Sequence, residues 1–153
     1  MSTTLPTVAL EETMSKLERA LLAPVVAGEL KDWVSDVEEA ARTFATDWTR
    51  HLHSTAHLEY RQIAKNDAEM LPTVTKMIET DQQLLHALAG FQEDLHGLAK
   101  QAEEVGWQEG KLSGRQKKFE ETGVQLITRI KKQQLAAATW LSEAFYRDRG
   151  TKD

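Results

Sequence analysis

Apolar residues recur at intervals of three and four along most of the chain, the spacing that lines one face of an α-helix. From about residue 7 to 22 they are Leu10, Met14, Leu17 and Leu21. Pro24 closes that stretch, and Val25 to Gly28 read as a short connection. The second pattern, about 29 to 66, is carried by Leu30, Trp33, Val34, Val37, Ala41, Phe44, Trp48 and Leu52. Asn66 and Asp67 read as a turn, with Asp67 capping the next helix and Pro72 tolerated only in its first turn. The third pattern, about 70 to 105, is the most regular. One heptad position holds Val74, Asp81, Leu88, Leu95 and Ala102; its partner holds Met77, Leu84, Phe91, Leu98 and Val105. Asp81 is the single polar residue on that seam.

Gly106 to Gly114 reads as a glycine-rich connection, with Ser113 and Gln116 at capping-box spacing. A fourth helix is expected from 114 to about 147, with Phe119, Leu126, Ile127, Ile130, Ala137, Trp140, Leu141 and Ala144 inward and Gly150 as a stop. Nothing alternates with period two over a useful length, so strands are not expected. The pattern predicts one all-α domain over 1–153. Its expected form is an up-and-down antiparallel four-helix bundle, three long helices plus a shorter N-terminal one, because short loops make neighbours antiparallel.

The 153 residues, 41% hydrophobic and 28% charged, suffice for one apolar core and argue against a disordered chain. A net charge of −5 repels phosphate backbones, so no nucleic-acid partner is expected. The basic clusters at 115–118 and 129–132 have Glu120 and Glu121 between them and read as a solvated helix face. The absence of cysteine excludes disulfides, thiolate metal sites and cysteine nucleophiles. No apolar run approaches the ~20 residues a membrane helix needs, and no signal-peptide pattern opens the chain. Cytoplasm is the expected location, with no membrane contact.

Polar residues that interrupt an apolar stripe carry the chemical information, because burial without a partner is costly. Asp81 is one. Extending the second stripe at 100° per residue brings His51 inward, followed by Thr55, Glu59 and Gln62 on the same face. Gln133 interrupts the fourth stripe between Leu126 and Trp140, with Gln134 beside it. Pairing the helices about their turns puts these interruptions in one zone. On the same projection His53 and His57 point nearly opposite the Phe44 stripe, towards solvent, and His86 and His96 lie off their helix's seam. A kink between His51 and Thr55 would change which of these residues face inward. Two readings stay open: a self-satisfied polar cluster that sets helix register, or a divalent metal held by imidazole and carboxylate. No phosphate loop, Gly-x-Ser-x-Gly, His-Glu-x-x-His or EF-hand loop is present.

Three stretches carry a family resemblance. Leu17-Glu-Arg-Ala-Leu-Leu-Ala-Pro24 is followed by Trp33 and His51; Glu69-Met-Leu-Pro-Thr-Val precedes Thr80-Asp81-Gln-Gln-Leu-Leu85; and the chain closes on Trp140-Leu-Ser-Glu-Ala-Phe-Tyr-Arg-Asp-Arg-Gly150. Over about 130 residues this resembles a bacterial subset of the hemerythrin-like (HHE cation-binding) proteins. That family binds a di-iron or related metal centre inside a four-helix bundle, through histidines and carboxylates on facing helices. Carried over by position, His51 keeps a histidine, Asp81 stands at a second ligand position and Gln133 at a third. Ala137 replaces a following carboxylate.

The resemblance implies a degenerate hemerythrin-like bundle, a non-enzymatic structural, interaction or sensory module with a protein partner or a second copy. The alternative is a metal-binding protein with a remodelled site. There His51 and Asp81, completed by Glu59 or water, hold a single divalent metal such as iron.

Overall fold

Each apolar stripe becomes a helix, and the buried residues are largely those the periodicity marks. The computed structural model describes residues 8–150, apart from the side chains of 105, 109, 145 and 147–150. The expected first helical position, residue 7, the inward position of Val105 and the tail 151–153 lie outside that description. α1 (Val8–Leu22) buries Leu10, Met14, Leu17 and Leu21. α2 (Leu30–His51) buries the stripe from Leu30 to Trp48, with Phe44 and Trp48 stacked at 5.7 Å. A fully buried leucine or phenylalanine contributes roughly 1.5–3 kcal/mol, so these stripes supply the main stabilisation.

A wide turn, Leu52–Ala56, follows α2 directly and leads into α3 (His57–Asn66), so 30–66 is one helical run with a π-helical step inside it. The His57 amide donates to the Leu52 carbonyl, five residues back rather than four. Such a step is an α-helix carrying one surplus residue. Downstream inward positions therefore shift by one: Ala56, His57 and Tyr60 are buried, whereas Thr55 and Glu59 are half-buried and Gln62 is exposed. The straight-helix expectation for this segment is corrected accordingly.

Asp67 ends α3 and accepts the Glu69 amide at Oδ1, capping a short 3-10 turn, Ala68–Met70. α4 (Leu71–Val105) begins there with Pro72 in its first turn, and it ends at Gly106, whose φ of 91° is a left-handed conformation that favours glycine. α5 (Glu109–Gly150) starts five residues before the expected 114. The Gln108 carbonyl accepts from the Lys111 and Leu112 amides and opens the helix, while Trp107 and Leu112 pack on the core. Ser113 thus lies inside α5 and is not its cap. Gly150 is its last residue.

α1 packs on α2, α2 on α4, α4 on α5 and α5 back on α1, closing a ring of helices about a common apolar core. Among the described residues there is no strand, and no helix is long and apolar enough to cross a membrane. Across the α4–α5 seam Gln101 meets Arg115 and Asp81 meets Gln133. Across α1–α5 Glu18 meets Lys131 at 2.7 Å, an exposed pair worth at most about 1 kcal/mol. The tighter contact there is at Gly123, where a Cβ would lie 2.7 Å from the buried Leu21 side chain.

Two substitutions, one deletion and one insertion test this geometry. Gly114→Ala, in open space within α5, should raise Tm by about 2–4 °C through helix propensity alone. Gly123→Ala should show no such gain and a net loss, because overpacking against Leu21 costs about 1–3 kcal/mol. Deleting Ser54 should leave a thermal melt unchanged or shifted upward, because removing the surplus residue keeps His57 and Tyr60 inward. Inserting an alanine at the same place should lower Tm. Equal loss in the deletion and the insertion would contradict the surplus-residue account.

Candidate functional site

A carboxylate in the apolar seam of α4 is the centre of the site. Asp81 is 2% exposed, and so is His57, brought inward by the wide turn. His57 Nε2 lies 3.1 Å from Asp81 Oδ2. With the carboxylate as acceptor, Nε2 carries the ring proton. From α5, Gln133 Nε2 donates to Asp81 Oδ1 at 3.2 Å and reaches the Met77 carbonyl at 3.5 Å. Both of its neighbours are acceptors, so the amide must present its NH₂ group there, not its oxygen. Three helices thus converge on one carboxylate.

Aromatic rings adjoin His57. Tyr60 lies one turn beyond His57 with ring centres 5.8 Å apart, and Trp140 meets Tyr60 edge-on at 6.1 Å. His53 approaches His57 at 6.1 Å from the exposed side. Burial raises the Tyr60 phenol well above its ordinary pKa of 10.0, and the charges of Asp81 and then Glu59 push the same way. Near neutral pH Tyr60 is a neutral phenol, unsuited to serve as a base.

Sequence reasoning placed Asp81 and Gln133 in a shared interior, and the structure brings them together. It placed His57 outside; that expectation is overturned, because the projection assumed 3.6 residues per turn through a segment that is wider. His51, expected as the inward imidazole, is half-buried, as is Glu59. His53, His86 and His96 are exposed as expected. Among the described residues no three His, Asp or Glu side chains are grouped to hold a metal ion, so His51, Asp81 and Glu59 do not form a ready ligand set. Nor do the residues that do meet fit one. Each Asp81 oxygen already accepts a hydrogen bond, Gln133 offers donors, and a single imidazole remains. The signal for His57 was nonetheless in the chain: beyond Leu52 the unshifted stripe turns polar, while a one-residue shift reads Ala56, Tyr60 and then Ile63.

A pH titration isolates Tyr60. The unfolded phenol ionises near pH 10 and the folded one only at higher pH. Above that point the unfolded chain binds fewer protons, so this contribution is intact below about pH 10 and is lost as pH rises towards the folded value. Tyr60→Phe should leave stability at pH 7 within about 1 kcal/mol of the parent and flatten the alkaline limb in urea melts. An unchanged alkaline slope would refute the assignment.

Comparison of the chain with protein-family models, with curated proteins and with solved structures gave no match.

Proposed function

We propose that this chain is a non-enzymatic helical module, a degenerate hemerythrin-like up-and-down four-helix bundle that serves a structural, interaction or sensory role. The observation that carries the reading is the pairing of Asp81: a buried carboxylate with one oxygen bonded to His57 and the other to Gln133. A metal centre needs several donor atoms aimed at one point, whereas here Gln133 turns its NH₂ group inward and a single imidazole and a single carboxylate remain. Opposed helix directions are supported by residue pairs that descend on one helix as they rise on the other: Gln101 with Arg115, Asp81 with Gln133. Kinship is supported by the convergence of Asp81 and Gln133, two positions at which the resemblance places ligands. On this reading the ancestral ligand positions have been refilled by residues that hydrogen-bond one another, and the pocket of a reactive ion has become a clasp between helices. The buried polar cluster then specifies helix register, which apolar contacts alone fix poorly. The metal-binding alternative, with His51, Asp81 and Glu59 as ligands, has less support, since those three are not grouped for an ion.

Metal analysis of protein purified without a histidine tag, together with melts in the presence and absence of a chelator, decides between them. The expected result is substoichiometric metal and a Tm indifferent to chelator. Asp81→Ala should lose about 2–4 kcal/mol by stranding the His57 and Gln133 donors, equally with and without chelator. If that variant fails to fold, Asp81→Asn provides the same comparison. Stoichiometric iron or another divalent metal, lost in the variant together with a chelator-sensitive Tm, would establish the alternative instead.

A further inference from the structure

Between α4 and α5 runs a groove of about 690 Å³ that none of His57, Tyr60, Asp81 and Gln133 lines. Its floor is apolar: Phe91, Leu98 and Leu126 are buried there, and Phe119 meets Phe91 edge to face at 5.9 Å. The α4 wall is bare where Gly90 and Gly97 lie, since a Cβ built on either meets nothing within 4 Å. That wall carries Glu93 and Asp94, and the α5 wall carries Arg115, Lys118 and Arg129. Arg115 is tied to Gln101 across one end. The other four charged residues are exposed and make no ion pair among the described residues. The contacts Phe91–Phe119 and Gln101–Arg115 put Asp94 within about a turn of the level of Lys118. Opposite charges therefore face each other across the groove, at matching height, and stay apart.

We propose that this face binds the same face of a second copy about a two-fold axis parallel to the helices. The charge pattern selects that occupant and that axis. Rotation about an axis along the helices sets each α4 wall against the partner's α5 wall at unchanged height, so Asp94 of one copy meets Lys118 of the other, twice. An axis running across the helices would instead set acid on acid and base on base. The bare stretch at Gly90 and Gly97 gives the long basic side chains of the partner's α5 room to lay their alkyl stems along α4. Such a face is isologous, as closed dimers require. It is two helices wide and roughly 20 Å long, at the low end of interface sizes, so dissociation in about the micromolar range is expected. The proposal uses the outer surface alone, so metal in the interior would leave it standing.

Sedimentation equilibrium over a concentration series tests it, with circular dichroism confirming that each variant keeps its helices. The parent chain should dimerise, and high salt should weaken the dimer. Asp94→Lys and Lys118→Asp should each weaken self-association at least about tenfold. The two single variants mixed together should form a heterodimer, and the double variant D94K/K118D should recover self-association. Gly97→Leu, which fills the bare wall in open space, should abolish the dimer without loss of helicity. A chain that stays monomeric up to about 1 mM, or a dimer indifferent to Gly97→Leu and to both charge reversals, would overturn the proposal.

Discussion

A carboxylate withdrawn from water inside an apolar seam must be given hydrogen-bond donors, and at Asp81 that requirement reaches three helices. One oxygen takes His57 from α3 and the other takes Gln133 from α5, both near 3 Å. Neither donor can move by a residue without stranding a buried polar atom. Apolar side chains tolerate such slippage far better, since their attraction is non-directional. The cluster therefore acts chiefly on specificity: it makes one axial register of α3, α4 and α5 much better than its neighbours. The wide turn at Leu52–Ala56 follows from the same requirement. Were the same residues wound as regular α-helix through 52–56, the inward face of 57–66 would present Glu59 and Gln62, and the core would receive more polar groups in place of His57 and Tyr60.

Most of the helical layout was legible because burial and helical period act on every residue of a stripe at once. The α4 seam and the α2 stripe up to Leu52 read directly, as did Asp81 as the polar exception and Gln133 as its counterpart. The misreadings beyond Leu52 share a cause. Projection accumulates phase, and a single π-helical step of one residue rotates everything beyond it by about 100°. His57 was lost to that error, whereas His51 precedes the step and is half-buried at the end of α2. The start of α5 was misjudged for a different reason. Gly110 and Gly114 weaken a helix by at most about 1 kcal/mol each, and the packing of Trp107 and Leu112 on the core outweighs that. Local glycine content announced a loop where tertiary contacts supported a helix.

The same side-chain chemistry is used in opposite ways inside and outside the ring. Inside, His57 and Gln133 each meet one oxygen of Asp81, so opposite partners are brought together. Tyr60 lies against His57 and stays protonated near neutral pH. The two hydrogen bonds tie α3 and α5 to α4 at one level.

Outside, between α4 and α5, the matching is left undone. Asp94 and Lys118 stand at one level, of opposite sign, on helices that face each other, and do not meet. Exposed charges commonly go unpaired because water serves them well, so their isolation alone would mean little. The arrangement gains meaning from what lies between the walls: an apolar floor and a backbone stripped of side chains at Gly90 and Gly97. Long side chains along that stretch would have filled the groove and cost nothing in helix propensity. A surface that is acidic on one side, basic on the other and hollow in the middle is complementary to its own rotated image. In that sense the register set by Asp81 inside the protein has an outward consequence, since it holds α4 and α5 at the heights that make the two walls correspond.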